Sequence, residues 1–420
     1  MEKFIINGAR HLEGEIDVMG SKNATTPILS ACLLTEEECI IDNVPVIADV
    51  LKMIDLLQSM GVEIEWLGEH KLRVKAGSNI DPEKMDFSIV GHMRSSILLL
   101  GSLLARFKKF KIRQPGGCII GSRPVGVHFD ALEALGAKIT YDKGFYCLKA
   151  EKLVGRTIVL KEFSVTATEN LLMAASLAEG KTTIKIAALE PHVQDLQRFL
   201  VKMGAKIKDV GVHTIEIHGV SKLHGADHTI IPDPIEAGTF AILAAATKSS
   251  LVINNVATGD LDLVIEKMRE MGVRIETEEN KLIIKPAHKL NAVKKIESRT
   301  YPGVPTDLQA PFGVLATQAE GTTLIHDTLY EGRMGYINEL NKMGANAIIC
   351  DPHRALISGP TPLYGQDITS FDLRAGATLI IAALLAEGQS TINKIEQIDR
   401  GYERIEERLQ KIGADIRRIK

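Results

Sequence analysis

The 420-residue sequence is poor in cysteine and has no excess of charge of either sign. Its five cysteines form no Cys-x-x-Cys pair, which argues against both a disulfide framework and a zinc site. The 50 basic and 53 acidic residues leave a net charge of only −3, so the chain as a whole has no electrostatic preference for nucleic acid or an anionic membrane. Any charged ligand must therefore be recognised by a local site.

Long apolar segments and common nucleotide or metal motifs are also absent. The longest apolar run, around 379–386, covers about ten residues, whereas a membrane span needs ~18 or more. The sequence turns polar within a few residues of Met1 and lacks the apolar core of a secretory signal. No Gly-x-Gly-x-x-Gly, Walker A or His-Glu-x-x-His motif supports nicotinamide, ATP-hydrolysing or zinc-protease chemistry. We therefore expect a cytoplasmic enzyme or binding protein without nucleic-acid or membrane partners.

The chain contains a sixfold internal repeat, marked by a glycine that ends an amphipathic helix pattern. The apolar residues Val50, Met53, Ile54, Leu57 and Met60 have the spacing of a one-sided helix. A glycine directly after such a helix is typical of a left-handed cap. The six glycines, spaced 75, 68, 68, 72 and 69 residues apart, are Gly61, Gly136, Gly204, Gly272, Gly344 and Gly413.

Each repeat begins with a helix of a second kind, which is apolar on nearly every side and rich in alanine, glycine and serine. That composition predicts a helix enclosed by close neighbours. A β-branched strand pattern follows it, and two more strand patterns follow the amphipathic helix. The chain is thus predicted to be α/β, with all-round apolar helices over 24–35, 95–107, 167–178, 237–247, 308–319 and 375–386.

The repeat also predicts how the chain is divided into domains. The sixth unit ends after one of its two last strands, and residues 3–7 resemble the missing one, because Lys281–Lys285 holds that place in the fourth unit. We expect a first domain over 22–229, formed by units one to three. Residues 1–21 and 230–420 are then expected to form the second domain, closed by the N-terminal strand.

Several cations are placed where a helix is predicted to start. A cation there opposes the helix dipole, so helix capping does not explain it. One alternative is that these side chains are exposed, or paired with nearby Asp and Asn caps. The other, which we favour, is a convergent anion site between the two domains. The cations are Lys22, Arg94, Arg123, Arg333, Arg374 and Arg400.

Cys118 differs from the other cysteines because it lies in a glycine-rich stretch beside cations. Neighbouring positive charges such as Arg113 and Arg123 lower the pKa of a thiol and increase its thiolate fraction. The pattern alone leaves open whether this cysteine is reactive or structural. The other four lie in apolar runs and are predicted to be core residues: Cys32, Cys39, Cys147 and Cys350.

Six segments together give a specific resemblance that covers nearly the whole chain. The sequence resembles the UDP-N-acetylglucosamine 1-carboxyvinyltransferase family of enolpyruvyl transferases. That resemblance implies a two-domain inside-out α/β barrel of six repeated units, with buried helices inside and sheets outside. The segments are Gly20–Ala24, Met93–Arg94, Pro115–Cys118 with Gly121–Val125, Tyr301–Gly303 with Pro305–Asp307, Asp372–Ala375 and Asp399–Glu403.

The resemblance implies transfer of the enolpyruvyl group of phosphoenolpyruvate to the sugar 3-hydroxyl, with release of phosphate and no metal or organic cofactor. Lys22, Asn23, Arg123 and Arg400 would hold phosphoenolpyruvate. Cys118 would protonate its methylene carbon and would be alkylated by fosfomycin. Asp307 would accept the proton of the sugar hydroxyl.

The resemblance also implies which residues surround the UDP-sugar and which two cations respond when ligand binding closes the cleft. These two cations are Arg333 and Arg374. Two positions depart from the family, which commonly has Asp where this chain has Gly126 and Gly where it has Thr166, so the acceptor is less well defined than the donor. The residues expected around the UDP-sugar are Arg94, Arg123, Pro124, Val125, Gly126, Val127, Ser164, Val165, Thr166 and Leu329.

Two other functions remain as alternatives. A related synthase transfers the same group to shikimate 3-phosphate, but the Pro-Gly-Gly-Cys stretch at 115–118 argues against it. A paralogue that binds without turnover would be expected to lack one of four residues that this chain retains, namely Lys22, Cys118, Asp307 or Arg400. No oligomeric state follows from the sequence.

Overall fold

The structure, a computed structural model, describes residues 2–116 and 124–420. These residues form two compact units with separate hydrophobic cores. We call residues 20–116 and 124–231 the central unit, and residues 2–19 and 232–420 the terminal unit.

The helices of the central unit are α1 to α7 and those of the terminal unit are α8 to α13. Short 3-10 turns precede several of them. Their bounds are α1 (Lys22–Ala31), α2 (Ala48–Ser59), α3 (Phe87–Val90), α4 (Leu99–Phe107), α5 (Gly126–Ala134), α6 (Val165–Ser176), α7 (Pro191–Lys202), α8 (Pro234–Ala246), α9 (Asp262–Glu270), α10 (Gln309–Thr317), α11 (Tyr336–Lys342), α12 (Leu373–Leu385) and α13 (Ile405–Lys411).

The described strands are short, and most have five or six residues. They are β1 (Lys3–Asn7), β2 (Glu13–Asp17), β3 (Glu38–Asp42), β4 (Glu63–Gly68), β5 (Lys71–Lys75), β6 (Lys109–Arg113), β7 (Lys138–Asp142), β8 (Phe145–Lys149), β9 (Thr157–Val159), β10 (Lys181–Lys185), β11 (Lys206–Gly211), β12 (Thr214–His218), β13 (Asp227–Thr229), β14 (Ser250–Asn254), β15 (Arg274–Glu278), β16 (Lys281–Lys285), β17 (Lys295–Ser298), β18 (Gly321–Asp327), β19 (Asn346–Asp351), β20 (Arg354–Gly359), β21 (Asp367–Thr369), β22 (Gln389–Asn393) and β23 (Asp415–Ile419).

The all-round apolar helices are enclosed, as their composition predicts. Every residue of α8 from Ile235 to Ala246 is buried, and so is every residue of α12 from Leu373 to Leu384. Small residues permit the close approach, because a Cβ at Gly101 of α4 would lie 2.2 Å from the carbonyl oxygen of Asn170 on α6. Among the residues described, no helix combines the length and apolar character needed to cross a membrane.

The six glycines of the repeat have the left-handed conformation expected of them. Their φ angles run from 86° at Gly272 to 109° at Gly136. L-residues with a side chain rarely adopt such angles, so glycine ends each helix at low cost.

The N-terminal strand β1 lies in the sheet of the sixth repeat. It pairs antiparallel with both β22 and β23, with Phe4 opposite Ile392 on one side and Arg418 on the other. In the fourth repeat, β16 lies in the same way between β14 and β15. This is the pairing that the missing strand of the repeat predicts.

Most of the sheets contain an additional short strand that was not predicted from the sequence. It pairs parallel with the strand that follows the enclosed helix of the repeat. It occupies one edge of the sheet and recurs in five of the six sheets among the described residues. In the central unit β13 pairs with β3, whereas in the terminal unit β2 pairs with β14. Most of these strands have only three or four residues, too few to give a periodic pattern.

Two of the four cysteines predicted to be core residues are placed differently. Cys32 and Cys39 are buried, as expected, and the nearby Cys39 thiol and burial both raise the pKa of Cys32. Cys147 is half-buried and Cys350 is exposed, so the prediction is wrong for both. Cys350 lies on β19, an edge strand on which only Ala347 is buried.

Candidate active site

Asp307 and two of the cations expected from the sequence come together in the terminal unit. Asp307 lies in the 3-10 turn that leads into α10, and Arg333 opens the turn that leads into α11. Arg374 is the second residue of α12. The Asp307 carboxylate accepts hydrogen bonds on both oxygens, from Arg333 Nη1 at 2.6 Å and from Arg374 Nε at 3.1 Å. Three helix starts thus place one carboxylate between two guanidinium groups.

The Arg374 guanidinium is buried, with 4% of its side chain exposed. Burial would lower its pKa, but Tyr402, Asp307 and Asp233 outweigh this effect and raise it, so the group stays charged. Its carbon Cζ lies 5.4 Å from the centre of the Tyr402 ring, and the Tyr402 hydroxyl is 3.0 Å from Thr239 Oγ1. Apart from the nearby Tyr402 hydroxyl, Nη1 and Nη2 have no hydrogen-bond partner within the described part of the chain. Such a buried, charged and undersatisfied group is suited to a carboxylate or phosphate ligand.

Asp327 connects two segments that the sequence analysis assigned to substrate binding. Its carboxylate is fully buried and accepts a hydrogen bond from the hydroxyl of Thr306, the residue before Asp307. Its other oxygen accepts the backbone N–H groups of Leu329 at 2.9 Å and Tyr330 at 3.1 Å. Asp327 was not predicted from the sequence, because nothing in its local sequence indicates a partner 21 positions away.

Arg400 lies in the same unit, between the 3-10 turn Ile395–Gln397 and α13. Its Nη1 donates to Gln397 Oε1 at 3.1 Å. Backbone bonds from Asp399 N–H to Ile395 and from Gly401 N–H to Ile398 hold this segment in a compact turn. Arg400, which is expected to bind the phosphate of the donor, therefore lies in a turn that backbone hydrogen bonds hold in place.

In the central unit, Lys22 begins α1, and Ser21 caps that helix. Lys22 Nζ lies 3.1 Å from Asp49 Oδ2, and the Asp49 side chain is only 6% exposed. Asp49 was not predicted from the sequence. It is the second residue of α2, the second helix of the first repeat. In the sequence, Arg123, Arg333 and Arg400 stand shortly before the corresponding helix patterns of other repeats, so alignment of the repeats could have identified it.

The expected UDP-sugar residues of the central unit cluster at the starts of α5 and α6. Gly126 and Val127 open α5, and no described side chain caps that helix. Ser164 caps α6, accepting the N–H of Ala167 at 3.4 Å, and Val165 and Thr166 follow it. Arg94 opens the 3-10 turn before α4. Unpaired N–H groups at helix starts favour an anionic ligand.

The side chain of Thr166 bonds to a buried histidine of α5. Thr166 Oγ1 lies 2.7 Å from Nε2 of His128, which is 2% exposed. Burial and the positive charge of Arg94 lower the pKa of His128 to about 4, so the imidazole is neutral at pH 7. Thr166, which stands where the family commonly has glycine, thus connects the start of α6 to α5 through the neutral imidazole of His128.

His128 should make stability depend on pH. Since its pKa falls from its ordinary value near 6.5 to about 4 on folding, its contribution is fully present above pH 6.5 and is lost as the pH falls towards 4. The wild type should lose about 3 kcal/mol more unfolding free energy over this range than His128→Gln. Urea unfolding at a series of pH values measures this difference. The exposed His224→Gln should behave like the wild type, and equal pH slopes for all three proteins would contradict the account.

Two of the predicted site residues, Cys118 and Arg123, lie outside the described residues. Their roles remain predictions. Pro124, which follows them, is exposed, and so is Leu329, with 38% of its surface accessible.

Comparison with known proteins identifies the family of the chain. Residues 6–409 match the family described as EPSP synthase (3-phosphoshikimate 1-carboxyvinyltransferase). The crystal structure of the enolpyruvyl transferase NikO from Streptomyces tendae has a TM-score of 0.91 and 27% identity, covering 100% of this chain and 99% of that one. The chain is therefore an α/β protein with an enolpyruvyl transferase fold.

Two curated relatives are more similar in sequence. The UDP-N-acetylglucosamine 1-carboxyvinyltransferase of Koribacter versatilis is 44% identical over 423 residues, covering all of this chain and 97% of the relative. The enzyme of the same name from Halothermothrix orenii is 44% identical over 420 residues, covering all of both chains. By these full-length matches, the chain belongs to the UDP-N-acetylglucosamine 1-carboxyvinyltransferase family of enolpyruvyl transferases.

Proposed function

We propose that this protein transfers the enolpyruvyl group of phosphoenolpyruvate to the 3-hydroxyl of UDP-N-acetylglucosamine and releases phosphate. This is the first committed step of peptidoglycan precursor synthesis. The observation that supports it best is the placement of Asp307 between Arg333 and Arg374. A base and fixed positive charge at one point are what this chemistry requires.

In the addition step, the sugar 3-hydroxyl oxygen attacks the second carbon of phosphoenolpyruvate. Asp307 accepts the hydroxyl proton, and the Cys118 thiol donates a proton to the methylene carbon, which becomes a methyl group. Each Asp307 oxygen has two lone pairs, so it can bond to an arginine and still accept this proton. The product of the step is a tetrahedral ketal.

In the elimination step, the Cys118 thiolate takes a proton back from the methyl group, and the carbon–oxygen bond to phosphate breaks; the proton held by Asp307 leaves with the phosphate. Phosphate leaves with the electron pair of that bond, and a vinyl ether remains on the sugar oxygen. Lys22, Asn23, Arg123 and Arg400 are proposed to hold the phosphate and carboxylate of the donor. Fixed cations are most effective where charge develops on the leaving group. The buried Arg374, with two undersatisfied nitrogens, fits a role in stabilising this charge.

The UDP-sugar is proposed to lie against Arg94, Leu329 and the starts of α5 and α6. Helix N–H groups at Gly126, Val127, Val165 and Thr166 suit its diphosphate. Arg123, Pro124, Val125 and Ser164 complete the proposed set. Glycine at 126 leaves the start of α5 without the acidic side chain usual in the family.

We further propose that the architecture is a two-domain inside-out barrel of six repeated units, divided at 22–229 and at 1–21 with 230–420. The repeated helix-ending glycines, the enclosed helices and the place of β1 support this arrangement. The prediction of a cytoplasmic location rests on the sequence alone.

Phosphate release from phosphoenolpyruvate tests the proposed function. We expect release with UDP-N-acetylglucosamine as acceptor and none with shikimate 3-phosphate. Shikimate 3-phosphate is included because the matching family description names its synthase. Release with shikimate 3-phosphate alone would overturn the proposal in favour of that activity, and release with neither acceptor would favour a binding protein.

Fosfomycin should alkylate Cys118 and stop turnover, because a thiol with arginines close by in the sequence is the most nucleophilic cysteine expected in the chain. Intact-mass measurement followed by peptide mapping should find one adduct on Cys118 and none on the exposed Cys350. Cys118→Ala should form no adduct. An adduct on another cysteine, or an unmodified wild type, would contradict this role.

A further inference from the structure

Tyr402 lies between the buried guanidinium of Arg374 and helix α8. The centre of its ring is 5.4 Å from Cζ of Arg374, and its hydroxyl oxygen is 3.0 Å from Oγ1 of Thr239 on α8. The same hydroxyl lies beside the guanidinium and is a hydrogen-bond partner for it. All three residues are at most 4% exposed, so water does not screen these contacts.

The hydroxyl protons of Tyr402 and Thr239 have one consistent arrangement. A guanidinium only donates hydrogen bonds, so the Tyr402 oxygen accepts from Arg374. The Thr239 hydroxyl donates to the backbone oxygen of Ile235, one turn earlier in α8, at 2.8 Å. The Thr239 oxygen therefore accepts the Tyr402 proton. Burial raises the pKa of Tyr402, so this proton stays on the hydroxyl at pH 7.

The backbone just before Tyr402 also packs closely against Arg374. A Cβ added at Gly401 would lie 3.7 Å from Arg374 Nη1 and only 2.5 Å from Cδ1 of Leu373. Glycine thus permits this segment to approach the arginine. Nε of the same guanidinium donates to Asp307 at 3.1 Å, so Arg374 contacts both Tyr402 and the proposed base.

We propose that Tyr402 and Thr239 are positioning residues, which hold Arg374 in the orientation that binds Asp307. The inference rests on the proposed function, in which Asp307 is the base. Thr239 fixes the Tyr402 proton, and the Tyr402 oxygen is then able to accept from Arg374. If this proton turned towards the guanidinium, two donors would face each other and Arg374 would be displaced. Neither Tyr402 nor Thr239 is proposed to touch a substrate.

Replacing Thr239 by valine should lower kcat, because valine keeps the shape of threonine but does not accept the Tyr402 proton. We expect a fall of about tenfold, which corresponds to ~1.4 kcal/mol of activation free energy. The KM values for both substrates should stay within about threefold of the wild type, since a misplaced base acts on the transition state. Thr239→Ser keeps the hydroxyl and should retain kcat within about twofold. Steady-state phosphate release measures all three proteins.

A double variant separates this role from a packing role. Tyr402→Phe removes the hydroxyl, keeps the ring beside Arg374 and should lower kcat by a similar factor. Tyr402→Phe with Thr239→Val should lose no more than Tyr402→Phe alone, because both changes act through one hydroxyl, whereas two separate packing defects would add. Thr247→Val is the matched control, because it removes a hydroxyl that donates to Leu243 at 2.8 Å at the other end of α8.

The heteronuclear NMR signal of the Arg374 Nε–H group tests the orientation without turnover. Assigned with Arg374→Lys, it should be sharp and protected in the wild type and in Thr239→Ser. In Thr239→Val it should exchange with water about tenfold faster, since the bond to Asp307 opens more often. The rest of the spectrum shows that each variant is folded.

Three results would each overturn the inference: a kcat in Thr239→Val within about twofold of the wild type, additive losses in the double variant, or an Arg374 signal that Thr239→Val leaves unchanged. If the wild type releases no phosphate, the proposed function fails, while the Arg374 signal still decides whether Thr239 and Tyr402 orient the arginine.

Discussion

Replacing Asp307 by asparagine should lower kcat by about 10²–10⁴-fold, the usual contribution of a positioned general base. The amide keeps the shape of the side chain but cannot accept the hydroxyl proton of the sugar. It also removes the negative charge between Arg333 and Arg374, which bind the two carboxylate oxygens in the wild type. Steady-state phosphate release measures the loss.

Two further variants make the Asp307 result decisive. Asp307→Glu retains a carboxylate and should recover part of the lost rate. Asp262→Asn changes an exposed carboxylate on α9 of the same unit and should leave kcat unchanged. Circular dichroism establishes that each variant is folded. A folded Asp307→Asn enzyme with kcat within tenfold of wild type would exclude Asp307 as the base.

Replacing Arg408 by methionine should destabilise the terminal unit by about 3–5 kcal/mol, the usual cost of breaking a buried ion pair. Arg408 binds Glu236 on α8 through both Nη atoms, at 2.6 and 3.1 Å, and the two side chains are 8% and 2% exposed. Without the arginine, a buried carboxylate remains unpaired. Urea unfolding, fitted with a transition for each unit, measures the change.

The partner of Arg408 provides the control for this prediction. Glu236 also accepts the backbone N–H of Met19 at 2.7 Å, a bond that a glutamine can keep. Arg408→Met with Glu236→Gln should therefore be more stable than Arg408→Met alone. Arg404→Met, which removes a half-exposed arginine one turn earlier, should cost less than 1 kcal/mol. A loss in Arg408→Met no larger than in Arg404→Met would contradict the account.

The features that the sequence predicted correctly arise from local patterns. A glycine after an amphipathic helix forms a cap because of its own backbone freedom, and all six such glycines have positive φ. Helices without a polar face must be enclosed, as α8 and α12 are. The cations Lys22 and Arg374 lie in the first turns of their helices. The capping residues Ser21 and Asp372, which stand just before them in the sequence, are typical of a helix start.

The features that the sequence missed depend on residues that are distant in the chain. Arg418 binds Glu2, 416 positions away, and Asp327 binds Thr306, so neither partner leaves a local signal. Cys350 was misplaced because an apolar run does not distinguish an edge strand from a central one. His128 lies on a buried helix face, where a histidine is usually structural. Its bond to Thr166 depends on the packing of α5 against α6, for which the sequence has no local signal.

The central claim is that the enolpyruvyl group is transferred to the sugar of UDP-N-acetylglucosamine. Incubation with phosphoenolpyruvate and this acceptor, followed by NMR and mass spectrometry of the nucleotide product, tests it most directly. The account predicts a vinyl ether on the sugar 3-oxygen, formed in equal amount to the phosphate released. Phosphate released without a vinyl ether, or an ether formed on shikimate 3-phosphate instead, would contradict it.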